Sequence, residues 1–158
     1  MTTDLTYRMS PTQYFIEAYP PLTLIPALAA YAGQSVVVEP GNADMAPLQA
    51  ACRRAGVAIN LGISERMAGE CGGHTLFNSQ VTIDSDGRIL GVHRKLQPTY
   101  VERAVWAQGD GSTLSTWPLK GLGGEHGCKL GGLACWEHAM NGARQALIER
   151  GEHVHAGA

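Results

Sequence analysis

Leu130-Gly131-Gly132-Leu133-Ala134-Cys135-Trp136-Glu137-His138 passes from an apolar run to a polar one, with a cysteine at the change. Leu130–Ala134 predicts a short buried strand, and a helix is expected over about Asn141–Arg150, closed by Gly151. Arg144 and Arg150 fall toward the C-terminal half of that helix, where cations favour the dipole. The chain must turn sharply between strand and helix, and such a turn would expose the sulfur of Cys135. Strand, turn and helix in this order predict an α/β fold. His153-Val154-His155-Ala156 opens a further strand.

Working outward toward the N-terminus, Thr75–Ile83 and Arg88–His93 flank Asp84-Ser85-Asp86-Gly87. Asp-Gly between two β-rich runs predicts a hairpin and hence a mixed sheet. Val57–Ile63 is apolar enough to read as a strand buried on both faces. Ser35–Glu39 reads as a β-branched strand stopped by Pro40-Gly41. Ala46–Ala55 is expected to be a helix with Leu48, Ala51, Cys52 and Ala55 on one face and Gly56 at its C-terminal stop. Residues 1–34 hold four of the eight prolines and read as an irregular or rearranged segment with one short helix around Leu24–Ala32. The division is therefore 1–34 against a domain at 35–158.

The chain has 158 residues, a formal net charge of -2 and a pI near 6.3, which gives no electrostatic reason to expect nucleic acid or a membrane as partner. No signal sequence or membrane-length apolar run is evident, so a soluble, cytoplasmic protein is expected. Cys52, Cys71, Cys128 and Cys135 lack the spacing of a disulfide framework and read as reduced thiols. His126, Cys128, Cys135 and His138 would make a zinc set only with unusual spacing, and no metal is expected.

Two further stretches bear on Cys135: His93-Arg94-Lys95-Leu96-Gln97-Pro98-Thr99, and Glu102, seven residues after Lys95. Together with Gly131–His138 they closely resemble the signatures of the nitrilase branch of the carbon-nitrogen hydrolases. The likeness extends through Asn60–Arg66, Thr75–Asn78, Gly109–Thr113 and Gly151–His155, covering about residues 31–158. Residues 119–129 look like an insertion relative to the family. The resemblance implies an αββα sandwich, here incomplete, with the first β-α-β and most of the second sheet missing.

It also implies hydrolysis of a nitrile to a carboxylic acid and ammonia, with no cofactor, acting on a small-molecule nitrile or amide, in a homo-oligomer. Cys135 is the implied nucleophile and Lys95 the electrostatic stabiliser and proton donor. Glu102 would hold Lys95 or the attacking water. Glu17, in Ile16-Glu17-Ala18-Tyr19-Pro20, is the nearest match to the family's general base, although Ile16 stands where the family has Pro. Trp136, Glu137 and His138 are expected at the substrate, lining or supporting the pocket. An amidase of the same superfamily, and a short inactive relative acting by association, are the alternative readings. The bland readings are a buried apolar Cys135 and solvated charges at Lys95 and Glu102.

Overall fold

The computed structural model describes residues 21–39, 41–69, 73–122 and 127–157. Glu17, Cys71 and His126 lie outside the described residues. A first helix, α1, spans Pro21–Gln34, longer than the helix expected around Leu24–Ala32. Pro21 suits a first helical position because its missing N–H would have no partner there. Ser35–Glu39 does not form a strand of its own: Val36 makes a single parallel bridge to Glu65, with Val36 N–H donating to Ser64 and Arg66 N–H to Val36.

Helix α2 spans Ala46–Ala55 and ends at Gly56, in the left-handed conformation with φ 65°. Its buried edge is narrower than expected. Met45, Leu48 and Cys52, spaced three and four apart, reach the core, whereas Ala51 and Ala55 are exposed. Burial also pushes the Cys52 thiol up from its ordinary value, against the lowering effect of a backbone hydrogen bond.

Strands β1 (Ile59–Arg66), β2 (Leu76–Ile83) and β3 (Ile89–Arg94) form an antiparallel sheet in that order. The hairpin stands where Asp84–Gly87 predicts it, with Asp84 N–H donating to Arg88 and Gly87 N–H to Asp84. Strand β1 starts later than expected and is only partly buried along most of its length. Ile59, Leu61 and Ile63 pack toward Met45 and Cys52 with Val81 and Ile83, whereas Gly62, facing the other way, is exposed. The centre of the sheet is β2, buried at every position except Asn78.

The second sheet holds β4 (Trp117–Leu119), β5 (Cys128–Leu133) and β6 (Val154–Gly157), with β4 antiparallel and β6 parallel to β5. Segment 119–129 joins β4 to β5, since Leu119 pairs with Cys128. Helix α3 (Asn141–Glu149) covers this sheet through Leu133, Ala143 and Leu147. The order of layers is α2, first sheet, second sheet, α3, an αββα arrangement of two three-stranded sheets, the first antiparallel and the second mixed.

Polar groups and glycine join the two sheets. Gln80 on β2 donates to the carbonyl of Leu133 on β5 at 3.0 Å. A Cβ on Gly132 would lie 2.5 Å from Gln80 Oε1 and 2.9 Å from the Ala156 carbonyl oxygen, so a residue without a side chain lets the layers meet here. Asp84, buried at the hairpin turn, accepts from Lys120 N–H beyond β4. The Leu133 end of β5, and with it Cys135, is therefore held in register with the hairpin that ends at Lys95.

Candidate active site

Strand β3 ends at Arg94, whose guanidinium makes two bonds to the buried carboxylate of Glu65, at 2.6 and 2.9 Å, and sits over the ring of Phe77. That pairing pushes the Arg94 guanidinium above its already high ordinary value. The backbone stays paired one residue further: Lys95 N–H donates to Asn78 and its carbonyl accepts from Gly109. Lys95 enters the interior as a consequence, and only 1% of its surface is exposed. A buried ammonium requires partners. Lys95 Nζ donates to Glu102 Oε2 at 2.7 Å and to Thr99 Oγ1 at 3.0 Å.

Glu102 is presented by a single 3-10 turn, Tyr100–Ala104. Its Oε2 also accepts the Thr99 N–H at 2.7 Å, so the carboxylate reaches back over the turn that carries it. The structure thus brings Lys95 and Glu102 together, as their spacing suggests.

Cys135 opens a second 3-10 turn, Cys135–Ala139, directly after β5 and Ala134. The strand-to-turn change is sharp, with Cys135 at φ 53°, and its residue is exposed. A positive φ in a residue with a side chain costs of order 1 kcal/mol or more and needs its surroundings to hold it. Glu137 supplies much of that restraint. Its Oε2 accepts the Ala134 N–H at 2.7 Å and its Oε1 the Leu96 N–H at 2.6 Å, while His93 Nε2 lies 3.0 and 3.2 Å from the two oxygens.

Of the two places expected for Glu137, lining or supporting the pocket, its bonds give it the supporting one, at the edge of a hollow it also lines. It is 1% exposed, with both oxygens engaged, and it ties the residue after Lys95 to the residue before Cys135. Burial alone would push its carboxyl up, but the His93 ring and the two amide N–H groups outweigh this and hold it below the ordinary glutamate value.

The turns that present Lys95's partner and Cys135 share one frame. Among the described residues, Tyr100 at φ 49° and Cys135 are the non-glycine residues with positive φ. Each opens a five-residue 3-10 turn, and each turn has at its third position a glutamate bonded to the N–H just before the turn. Tyr100 and Trp136 project outward, 74% and 67% exposed. A hollow of about 210 Å³ lies between the turns, lined on one side by residues from Gln97 to Tyr100 and Arg103 and on the other by Trp136, Glu137 and Met140. Cys135, Trp136, His138 and Ala139 line an adjoining, more open hollow. Trp136 and His138 thus stand beside the thiol, where a ligand would meet them.

The backbone partners of Glu137 and the twin geometry at Tyr100 are not legible in the sequence, although Thr99-x-x-Glu102 has the form of a helix-capping signature. Glu137 follows Ala134 at the same spacing, but alanine lacks the side-chain oxygen that makes the signature visible. Among the described residues, no group of three or more His, Cys, Asp or Glu side chains could hold a metal ion, and no helix is long and apolar enough to cross a membrane.

A family model described as carbon-nitrogen hydrolase matches residues 18–157. A protein named Nitrilase 3, from an unknown prokaryotic organism, is 42% identical over 106 residues, covering 67% of this chain and 29% of that protein. A nitrilase of Penicillium rubens is 34% identical over 150 residues, covering 90% of this chain and 42% of the relative. Among solved structures, a carbon-nitrogen hydrolase from Helicobacter pylori G27 superposes with a TM-score of 0.60 at 22% identity, over 91% of this chain and 42% of the other. Saccharomyces cerevisiae Nit3, described as a member of branch 10 of the nitrilase superfamily, gives 0.67 at 14% identity, over 82% of this chain and 45% of the other. The chain spans less than half the length of each of these relatives.

Proposed function

Because the chain belongs to the carbon-nitrogen hydrolase family, we propose that it hydrolyses an organic nitrile to the carboxylic acid and ammonia with Cys135 as the nucleophile. The observation that carries this reading is the Glu137 carboxylate, which binds Leu96 N–H and Ala134 N–H at once. Through it the backbone beside Lys95 and the backbone beside Cys135 come within the span of one carboxylate. The relatives named nitrilase favour a nitrile over an amide as the substrate.

Cys135 sulfur, as thiolate, would add to the nitrile carbon, and the nitrogen would take up a proton to give a thioimidate. Lys95 is the group proposed to donate toward that nitrogen, with Glu102 and Thr99 fixing its ammonium. Addition of one water and loss of ammonia leave a thioester, and a second water releases the carboxylic acid and restores the thiol. Glu17 is proposed as the base that takes the proton from each water. Trp136 and His138 would contact the substrate, and the protein would self-associate.

Ammonia release from a nitrile and from the corresponding amide tests the reading in wild type and Cys135→Ala. Release from the nitrile that disappears in Cys135→Ala supports it; release that survives the substitution overturns it. Release from the amide alone would identify an amidase, and no release by folded protein would favour a role by association. Glu17→Gln should lower turnover by roughly 10²-fold or more if Glu17 is the base.

A further inference from the structure

Beside the thiol, outside the Lys95 and Glu137 networks, lies a second chain of polar groups: Cys135 carbonyl, His138, His155 and Glu152. His138 Nδ1 lies 2.7 Å from the Cys135 carbonyl oxygen, His138 Nε2 lies 3.0 Å from His155 Nε2, and His155 Nδ1 lies 2.8 Å from Glu152 Oε1. The two rings meet edge to face, with centroids 5.1 Å apart. These residues come from the Cys135 turn, β6 and the loop that precedes β6.

The ends of the chain fix where its hydrogens lie. A carbonyl oxygen only accepts, so His138 Nδ1 must be the donor there. In neutral His138, Nε2 then holds a lone pair and must accept from His155 Nε2. Glu152 as a carboxylate also accepts, so His155 Nδ1 must donate as well. All three bonds can exist together only when both Nδ1 atoms carry hydrogen and the two rings share one further hydrogen between their Nε2 atoms, on either ring. Loss of the shared proton breaks one link, between the two rings or at Glu152, and gain of another sets two N–H groups against each other.

We propose that His138, His155 and Glu152 are positioning residues that hold the Cys135 carbonyl, and so the strained turn carrying the thiol, most firmly while the chain holds this one extra proton. The proposal rests on Cys135 being the nucleophile. Two features of the surroundings support a built arrangement. A Cβ on Gly131 would collide with the Glu152 carboxylate, so the glycine in β5 makes room for the acidic end of the chain. His138 also separates two hollows, one shared with Cys135, Trp136 and Ala139, the other lined by His155, Glu152, Ile148 and Arg144. Arg144 of α3 is the other charged group facing this second hollow among its lining residues.

Two measurements that need no nitrile turnover test the chain in the intact protein. Nitrogen-15 spectra of the imidazoles should show hydrogen on Nδ1 of both His138 and His155 and one further hydrogen between their Nε2 atoms. The rate of alkylation of Cys135 by iodoacetamide, read on its own peptide by mass spectrometry, should depart from a single thiol titration between about pH 5 and 8. The expected departure is about fivefold, the factor equivalent to one net hydrogen bond. His155→Gln, whose amide donates to His138 at every pH in this range, should abolish the departure. An Nε2–H tautomer at His138, or identical profiles in wild type and His155→Gln, would overturn the proposal. If the spectra and profiles are as expected but ammonia is released only from an amide, the nitrilase reading fails and the positioning chain stands.

Discussion

At the scale of single residues, Glu137 does the most with the least exposure. Replacing it by Ala would orphan the Leu96 and Ala134 N–H groups and leave His93 without its carboxylate. Each lost partner of this kind costs about 1–3 kcal/mol, so Tm should fall by roughly 10 °C in a thermal melt. Glu137→Gln should behave almost as badly, because one amide end must face an N–H donor. The carboxyl of Glu137 is held low in the folded protein, so the fold gains stability from it above the unfolded glutamate value of about 4.3. That gain is lost as pH falls through the lower folded value, and urea melts of wild type and Glu137→Gln should converge as the buffer is acidified. Lys95→Met keeps the volume but leaves Glu102 buried without its cation. It should lower nitrile turnover by roughly 10²-fold or more while the protein still folds. The meeting of Lys95 with Glu102 was legible through the family resemblance, whose motif is a pattern of side chains. The supporting role of Glu137 has no such pattern to name its partners, because two of them are backbone amides, which every residue has.

At the scale of elements, the site depends on how closely β5 can approach β2. Gly132→Ala would push a methyl group against Gln80 and the Ala156 backbone. Because a backbone atom is part of the obstacle, β5 must shift, with an expected loss of about 1–3 kcal/mol in chemical denaturation and a larger proportional loss of turnover through the displaced Cys135 turn. The hairpin was readable because Asp86-Gly87 decides a turn locally, with no help from distant chain. Strand β1 was overread for the opposite reason: an apolar run says that a segment can be buried, but not what will lie beside it. The same limit explains α2, whose exposed Ala51 and Ala55 matched the helical period without having anything to pack against. In α1, prolines that suggested irregular chain are accommodated, Pro21 at the start of the helix and Pro26 within it.

At the scale of the whole molecule, two apolar clusters lie on the outer faces of the paired sheets, one under α2 and one under α3. Leu147, fully buried between α3 and β5, secures the outer layer on the side of the thiol. Leu147→Ala should cost about 2–5 kcal/mol and, because α3 follows the Cys135 turn, should depress Tm and turnover together. The polar seam between the sheets has a consequence in time. The β2–β3 hairpin closes over a short turn, whereas the Gln80–Leu133 bond joins residues 53 apart in sequence. Apolar collapse alone cannot align a single amide with a single carbonyl, so docking of the two sheets is expected to follow formation of the hairpin. In pulse-labelled hydrogen exchange during refolding, amides of β2 and β3 should gain protection first and the Ala134 amide last. The reactive turn would then be assembled at the end of folding, after the interior that restrains it is already closed.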